Sequence, residues 1–389
     1  MFSSRLQWDL RPNPLSLLVE EKRRARMQVL DLTESNPTSA GLTYPGDEIL
    51  AALADPRSLL YRPAPRGLDS AREAVSQYYA ERGASVPPDR ILITASTSEA
   101  YAFLFKLLAD PGDEILTPRP SYPLFEFLAN LESVRVRQYP LRYDEAWHVD
   151  LDALANSISP RTRAIVVVNL NNPTGSFLKH DEFERIEALA APRQIAILSD
   201  EVFADYAFAP DSTRVSSLTA AQAALSFSMS GLSKIAGLPQ MKIGWIVASG
   251  PGHEAALQRL ELIADTYLSV AAPAQLALPR WLDVSAQVRR QIQDRTKCNL
   301  AHLRHSIDAN SACRVLQVEG GWYATIRVPR TRTEEEWALA LLAEHDVLVQ
   351  PGFFFDFEEE AFLVVSLLTP PGIFAEGVRR FQSSQNEMR

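Results

Sequence analysis

Lys234 stands in SGLSKIAGLPQMK (230–242), a turn of small and hydroxyl residues between two apolar runs. A surface lysine needs no such setting. A lysine that must attack a carbonyl does, because its amine is nucleophilic only after losing its proton. Three further stretches offer matching chemistry: TASTSEAY (94–101), NLNNPTG (169–175) and SDEVFADY (199–206). Asp200 follows an apolar run, where a carboxylate stays ionised only beside a cation or strong donors; a strand-end carboxylate satisfied locally is the alternative. In Asn171-Asn172-Pro173-Thr174-Gly175, proline fixes φ and glycine permits φ > 0. That is either a turn alone or a turn that aims amide donors at a ligand. Ser96, Thr97 and Ser98 precede a helix with Glu99 in its first turn, which reads as an N-cap. The same geometry offers N–H groups and the positive end of the helix dipole to a phosphate. Tyr122, in RPSYPLF (119–125), is a core aromatic or a face on which a flat ring stacks.

The elements that must position these residues alternate between strand-like and helix-like runs. Strands are expected over 90–95, 114–118, 133–140, 162–170, 194–201, 226–230 and 242–249, with helices over 98–110 and 181–191. This pattern predicts a mostly parallel sheet with helices on both faces. Each of the four chemical stretches then lies at or just after the C-terminal end of a strand, the edge at which open α/β sheets bind ligands. After about residue 250 the pattern changes to a long helix over 281–307, strands over 321–329, 347–352 and 362–368, and helices over 333–345 and 374–382. This reads as a smaller α+β unit, on which the first forty or so residues are expected to pack. The expected division is a large domain over 45–280 and a small one from 1–44 plus 281–389.

The chain has 389 residues, 46% of them hydrophobic, which is enough for two packed units. A net charge of −9 argues against nucleic acid, where a basic face is expected. Only Cys298 and Cys313 occur, so there is no disulfide framework, and no CxxC or HExxH spacing supports a metal site. No apolar run approaches the roughly eighteen residues of a membrane span, and the N-terminus lacks the apolar core of a signal peptide. A soluble, cytoplasmic protein with no metal, nucleic-acid or membrane partner is the expectation.

The order NNPTG, SDE, SK resembles the class I/II aminotransferases of fold type I, which bind pyridoxal 5′-phosphate (PLP). The likeness runs from Tyr61…Gly67…Ala71-Arg72 to the FAEGVRRF helix (374–381). It implies an α/β fold type I transferase, with a large domain built on a mostly parallel sheet and a smaller α+β domain. Lys234 resembles the lysine that joins the cofactor's aldehyde as a Schiff base, and Asp200 the carboxylate on its pyridine nitrogen. Asn172 resembles the asparagine on the phenolic oxygen, Tyr122 the stacked aromatic, and Ser96, Thr97 and Ser98 the phosphate cup. Tyr61 matches a tyrosine that reaches the phosphate from the neighbouring subunit, which implies a homodimer with shared sites. The implied reaction is ping-pong transfer of an amino group between a small amino acid or amine and a 2-oxo acid. A PLP-dependent lyase, decarboxylase or carbon–carbon bond-forming enzyme on the same scaffold is the alternative, since fold and cofactor do not settle reaction type.

Three positions depart from that pattern. Phe203 replaces a tyrosine that donates to the phenolic oxygen. Lys242 replaces an arginine on the phosphate, supplying charge without the bidentate fork. Alignment on Ser366 puts Val364 where the family holds the substrate's carboxylate with arginine. Arg62 and Arg66 are then candidate substitutes, with ordinary solvent-facing arginines as the alternative. Asn36, in LTESNPT (32–38), is a substrate contact or a turn residue before Pro37.

Overall fold

The computed structural model describes residues 2–307 and 311–386. Eight strands form the central sheet. The runs Glu114–Arg119, Thr162–Val168, Ala196–Asp200 and Ser226–Gly231 are paired in parallel, and Arg135–Asp144 extends them beside Glu114–Arg119. Gly244–Ser249 runs antiparallel between Ser226–Gly231 and Ile91–Thr94. Ala146–Val149, a strand that the alternation of Arg135–Asp144 concealed, folds back along the far edge.

The inner strands read as continuous apolar runs because both faces are covered. Alternate residues feed different cores. Leu198, Phe227 and Ile246 meet Tyr101 and Phe105 of helix Thr97–Leu108 and Leu257 of helix His253–Tyr267. On the opposite face, Ile197 packs with Ile186 of helix His180–Ala190. Trp245 and Val247 pack there too, with Val75 of helix Asp69–Ala80. No helix among the described residues is long and apolar enough to cross a membrane.

The helix expected from residue 281 begins earlier, at Ala272, and runs to Ser306. Leu278 and Trp281 enter the core beside the large sheet, whereas Leu300 and Leu303 enter a second core. A division at residue 280 therefore falls inside one continuous helix. The second core lies against an antiparallel sheet in the order Arg314–Val315, Tyr323–Arg327, Phe362–Ser366, Gln350–Pro351. The single strand expected over 347–352 is split. Val347–Leu348 pairs in parallel with Leu30–Asp31, and Gln350–Pro351 pairs with Phe362–Ser366 at the sheet edge, where a proline without an N–H is tolerated. Leu15, Leu30 and Leu32 join the second core, and Lys22 Nζ pairs with Asp346 at 2.5 Å. The first few residues differ. Arg5 donates to Leu131 O at 3.0 Å, and Trp8 meets Phe127 edge-on, both on helix Leu124–Leu131 below the large sheet.

The two sheets are joined at Gly320. Its N–H donates to Gly175 O at 3.2 Å, and Gly321 N–H donates to Tyr206 O at 3.0 Å. A Cβ at Gly320 would lie 2.4 Å from Tyr206 O and 2.5 Å from Leu170 Cδ1, so only glycine permits this approach. Gly320→Ala is therefore expected to destabilise the fold by about 1–3 kcal/mol. The measurement is a urea titration, with a lower midpoint at unchanged slope.

Candidate active site

Asp200 ends its strand on the face covered by helix Thr97–Leu108. Tyr101 Oη donates to Asp200 Oδ2 at 3.1 Å, and the Val202 N–H donates to Oδ1 at 3.2 Å. Desolvation pushes this carboxyl up from 3.8 to about 6, against those two bonds and the nearby Lys234 charge. Lys234 is carried on the next strand, which runs through Gly231 into the short helix Leu232–Ile235. Its carbonyl accepts from Tyr206 Oη at 2.6 Å. Its Nζ lies 5.0 Å from the ring centre of Trp322 and 5.7 Å from that of Phe203, and those two rings meet edge-on at 5.3 Å. Desolvation pushes the amine's pKa down, while the Asp200 charge opposes the shift. The result is an amine biased toward its neutral, nucleophilic form, and a carboxyl that ionises only as pH rises toward about 6.

The loops around this pair are tightly built. Ser96 Oγ accepts from the Glu99 N–H at 3.1 Å, and Glu99 Oε2 accepts from the Ala95 N–H at 2.7 Å, so the N-cap reading of Ser96 holds. Thr97 and Ser98 follow, half-buried, in the first turn of that helix. A Cβ at Gly244 would lie 3.0 Å from the Ser96 carbonyl carbon and 3.1 Å from Ser230 O, so glycine lets its strand approach both the helix cap at Ser96 and the strand carrying Ser230. Lys242 precedes it at φ +50°, exposed, with no hydrogen bond or ion pair to its amine among the described residues. In the asparagine loop, Asn169 Nδ2 donates to Val215 O at 2.8 Å and Asn171 Nδ2 to Thr174 Oγ1 at 2.8 Å. Asn172, by contrast, has a buried Oδ1 with no partner. Two amides hold the loop, and the third is left over.

Other candidates sit further out. Tyr122 is 45% exposed, so it is not a core aromatic; the charge of Asp200 adds to desolvation in raising its hydroxyl's pKa. Tyr61 is 83% exposed and Arg62 is exposed beside it. Arg66 points elsewhere. Its charged neighbours are Arg72, Glu261 and Asp89, and Asp89 precedes the strand Ile91–Thr94, at the end opposite Ser96. Asn36 is exposed and closes a turn: its Oδ1 accepts from the Thr38 N–H at 3.0 Å, and its Nδ2 donates to Ser39 Oγ at 2.9 Å. Val364 is fully buried between Thr325 and Gln350. Tyr101, Tyr206 and Trp322 were not anticipated as site residues. The available signal was that Tyr101 and Tyr206 each close a chemical stretch, and a buried tyrosine hydroxyl requires a partner.

Residues 27–373 match the family described as aminotransferase class I and II. The chain is 34% identical over 256 residues to the glutamate–pyruvate aminotransferase of Escherichia coli, covering 64% of this chain and 62% of that relative. It therefore spans less than two thirds of that relative's length. It is 25% identical over 404 residues to the tyrosine aminotransferase of Bos taurus, covering 98% of this chain and 90% of the relative. Its fold is similar to that of an alanine aminotransferase from Pyrococcus furiosus, with a TM-score of 0.89, 23% identity and full coverage of both chains.

The upward shift of Asp200 has a thermodynamic consequence for the cofactor-free protein. A carboxyl whose folded pKa is raised gives stability that is complete below about 3.8 and is lost as pH rises toward about 6. Relative to Asp200→Asn, the wild type is expected to lose up to roughly 3 kcal/mol over that window and then level off. Urea midpoints of both proteins between pH 4 and 7 measure this. Parallel curves would contradict it.

Proposed function

This chain belongs to the aminotransferase class I and II family, and we propose that it is a PLP-dependent aminotransferase acting between a small amino acid or amine and a 2-oxo acid. The observation that carries the reading is the desolvated Lys234 amine in the field of Asp200, at the C-terminal edge of a mostly parallel sheet. The residues fit the cofactor. Asp200 is a desolvated carboxyl whose ionised form a ring cation would stabilise, Asn172 is a buried amide whose N–H groups can donate to a phenolic oxygen, and Tyr122 offers an open ring face. The N–H groups of Thr97 and Ser98, with the Ser96 hydroxyl, lie at the start of a twelve-residue helix, a setting suited to phosphate. Exposed Lys242 adds a positive charge nearby.

When bound, the cofactor supplies an electrophilic aldehyde and a ring that draws in electrons from a broken Cα–H bond. The protein supplies the rest. Lys234 would hold the cofactor through Nζ, and the same atom, once free, would take a proton from the substrate and return it. Asp200 carries the negative charge that keeps the ring nitrogen protonated, and Tyr101 with Val202 fixes its orientation. Tyr206 anchors the lysine backbone, while Trp322 and Phe203 keep water from its amine. The high exposure of Tyr61 supports a homodimer in which this residue completes the partner's site. The two cores support a large and a small unit coupled by the helix they share, with the change from one core to the other falling between Trp281 and Leu300 rather than at residue 280. The scarcity of cysteine supports a cytoplasmic location.

The test is to mix the holoenzyme with a panel of amines and amino acids and follow cofactor absorbance. The expected outcome is conversion to the aminated cofactor, reversed by a 2-oxo acid. Lys234→Ala is expected to slow it at least roughly a hundredfold. Release of carbon dioxide, or of ammonia with an oxo acid, would instead establish decarboxylation or elimination.

A further inference from the structure

Gln350, Val364 and Thr325 stand side by side across three strands of the small sheet. Their neighbours Val349, Leu363, Val365, Ala324 and Ile326 all enter the C-terminal core. By the alternation of strands, the row of three faces the other way, toward the large sheet. Tyr323 shares that face, and its ring lies 6.3 Å from that of Phe203, which borders Lys234. The chain after Gln350 turns through Gly352–Phe355, where Phe355 O accepts from the Ser121 N–H at 2.9 Å. Ser121 Oγ in turn donates to Asn171 Oδ1 at 3.2 Å, next to Asn172. The row and the asparagine loop thus border the same cleft.

Three oxygens in this region, Gln350 Oε1, Thr325 Oγ1 and Asn172 Oδ1, are shielded from solvent and have no hydrogen-bond partner among the described residues. An unpaired buried polar atom costs about 1–3 kcal/mol. Between Gln350 and Thr325 stands the isopropyl group of Val364, and no cation belongs to the row. Arg327, on the same strand, lies over the rings of Tyr143 and Phe362, at the far end from Tyr323. An anion placed here would lose its hydration and find no cationic partner within the row. A neutral group with N–H donors would relieve the stranded oxygens.

We infer that Gln350, Val364 and Thr325 form a recognition subsite for an uncharged hydrogen-bond donor, and that the substrate seats a carboxamide there. The two N–H bonds of a carboxamide can serve two of the three oxygens, and its alkyl neighbour packs on Val364. A 2-oxo acid or amino acid taken by the site holds its carboxylate away from this row. The inference rests on the aminotransferase reading only for the identity of the cleft as the substrate site.

Calorimetry on the holoenzyme with butyramide and butyrate tests it without requiring turnover. Butyramide is expected to bind, and Gln350→Leu or Thr325→Val to weaken it about tenfold while changing butyrate less than about twofold. Val364→Arg is expected to invert the preference, tightening butyrate at least about tenfold. No butyramide binding, butyramide affinity unmoved by both conservative variants, or butyrate weakened in step overturns the inference. Neither ligand carries an amine, so such a failure leaves amino transfer standing. A holoenzyme that selects the amide but transfers no amino group sinks the aminotransferase reading alone.

Discussion

The site depends on one electrostatic constraint: a lysine and an aspartate that loss of water drives in opposite pKa directions, each within the other's field. Alone, the amine would shed its proton and the carboxyl would keep its own. Together they retain partial charge at an energetic cost the surrounding fold must meet. The cost is met by backbone rather than by further ions. Val202 gives an N–H to the acid, and Tyr206 holds the carbonyl of the lysine itself. Asp200 ends a strand paired in parallel with Ser226–Gly231, and that partner leads directly into the short helix carrying Lys234, so the sheet fixes where both segments begin.

Strand alternation then assigns two adjacent carboxyls to different tasks. Asp200 faces Tyr101, whereas Glu201 faces the opposite side, where it accepts from the Leu218 N–H at 2.9 Å and from Ser217 Oγ at 2.7 Å. Glu201 is thereby engaged in bracing the loop before Ser226. Asp200 receives longer bonds and keeps capacity for a cationic partner. The asparagine loop shows the same division: Asn169 and Asn171 are engaged by the fold, and Asn172 is not. In each case the free member is the one beside the lysine's edge of the sheet.

The strands carrying the chemistry were legible in the sequence because apolar runs between turn residues have few alternatives, and their ends locate Asp200, Asn172, Ser96 and Lys234 on one edge. The contacts that orient them were not. Tyr101 meets Asp200 across 99 residues, and Trp322 comes to Lys234 from another sheet, so neither leaves a local pattern. Arg66 illustrates the converse. Its nearness to Tyr61 along the chain suggested a shared site, but the chain runs beside a strand there and the side chain turns to the opposite end. The long helix was misplaced at its start because Pro279 lies inside it, and proline within a helical pattern reads as a boundary.

The wall beside Lys234 carries little polarity, while Lys242 and Arg62 are exposed to solvent. The inner wall presents Val364, Trp322 and Phe203, with a few neutral oxygens. Loose packing does not explain those unpaired oxygens: Thr325, Val364 and Trp322 are almost completely enclosed, and Asn169 and Asn171 of the adjoining loop are hydrogen-bonded. Native folds seldom leave buried polar atoms unpaired unless water, an ion or a ligand completes them. A ligand that turns an uncharged end toward this wall matches it. The reverse orientation would strand a charge against Val364.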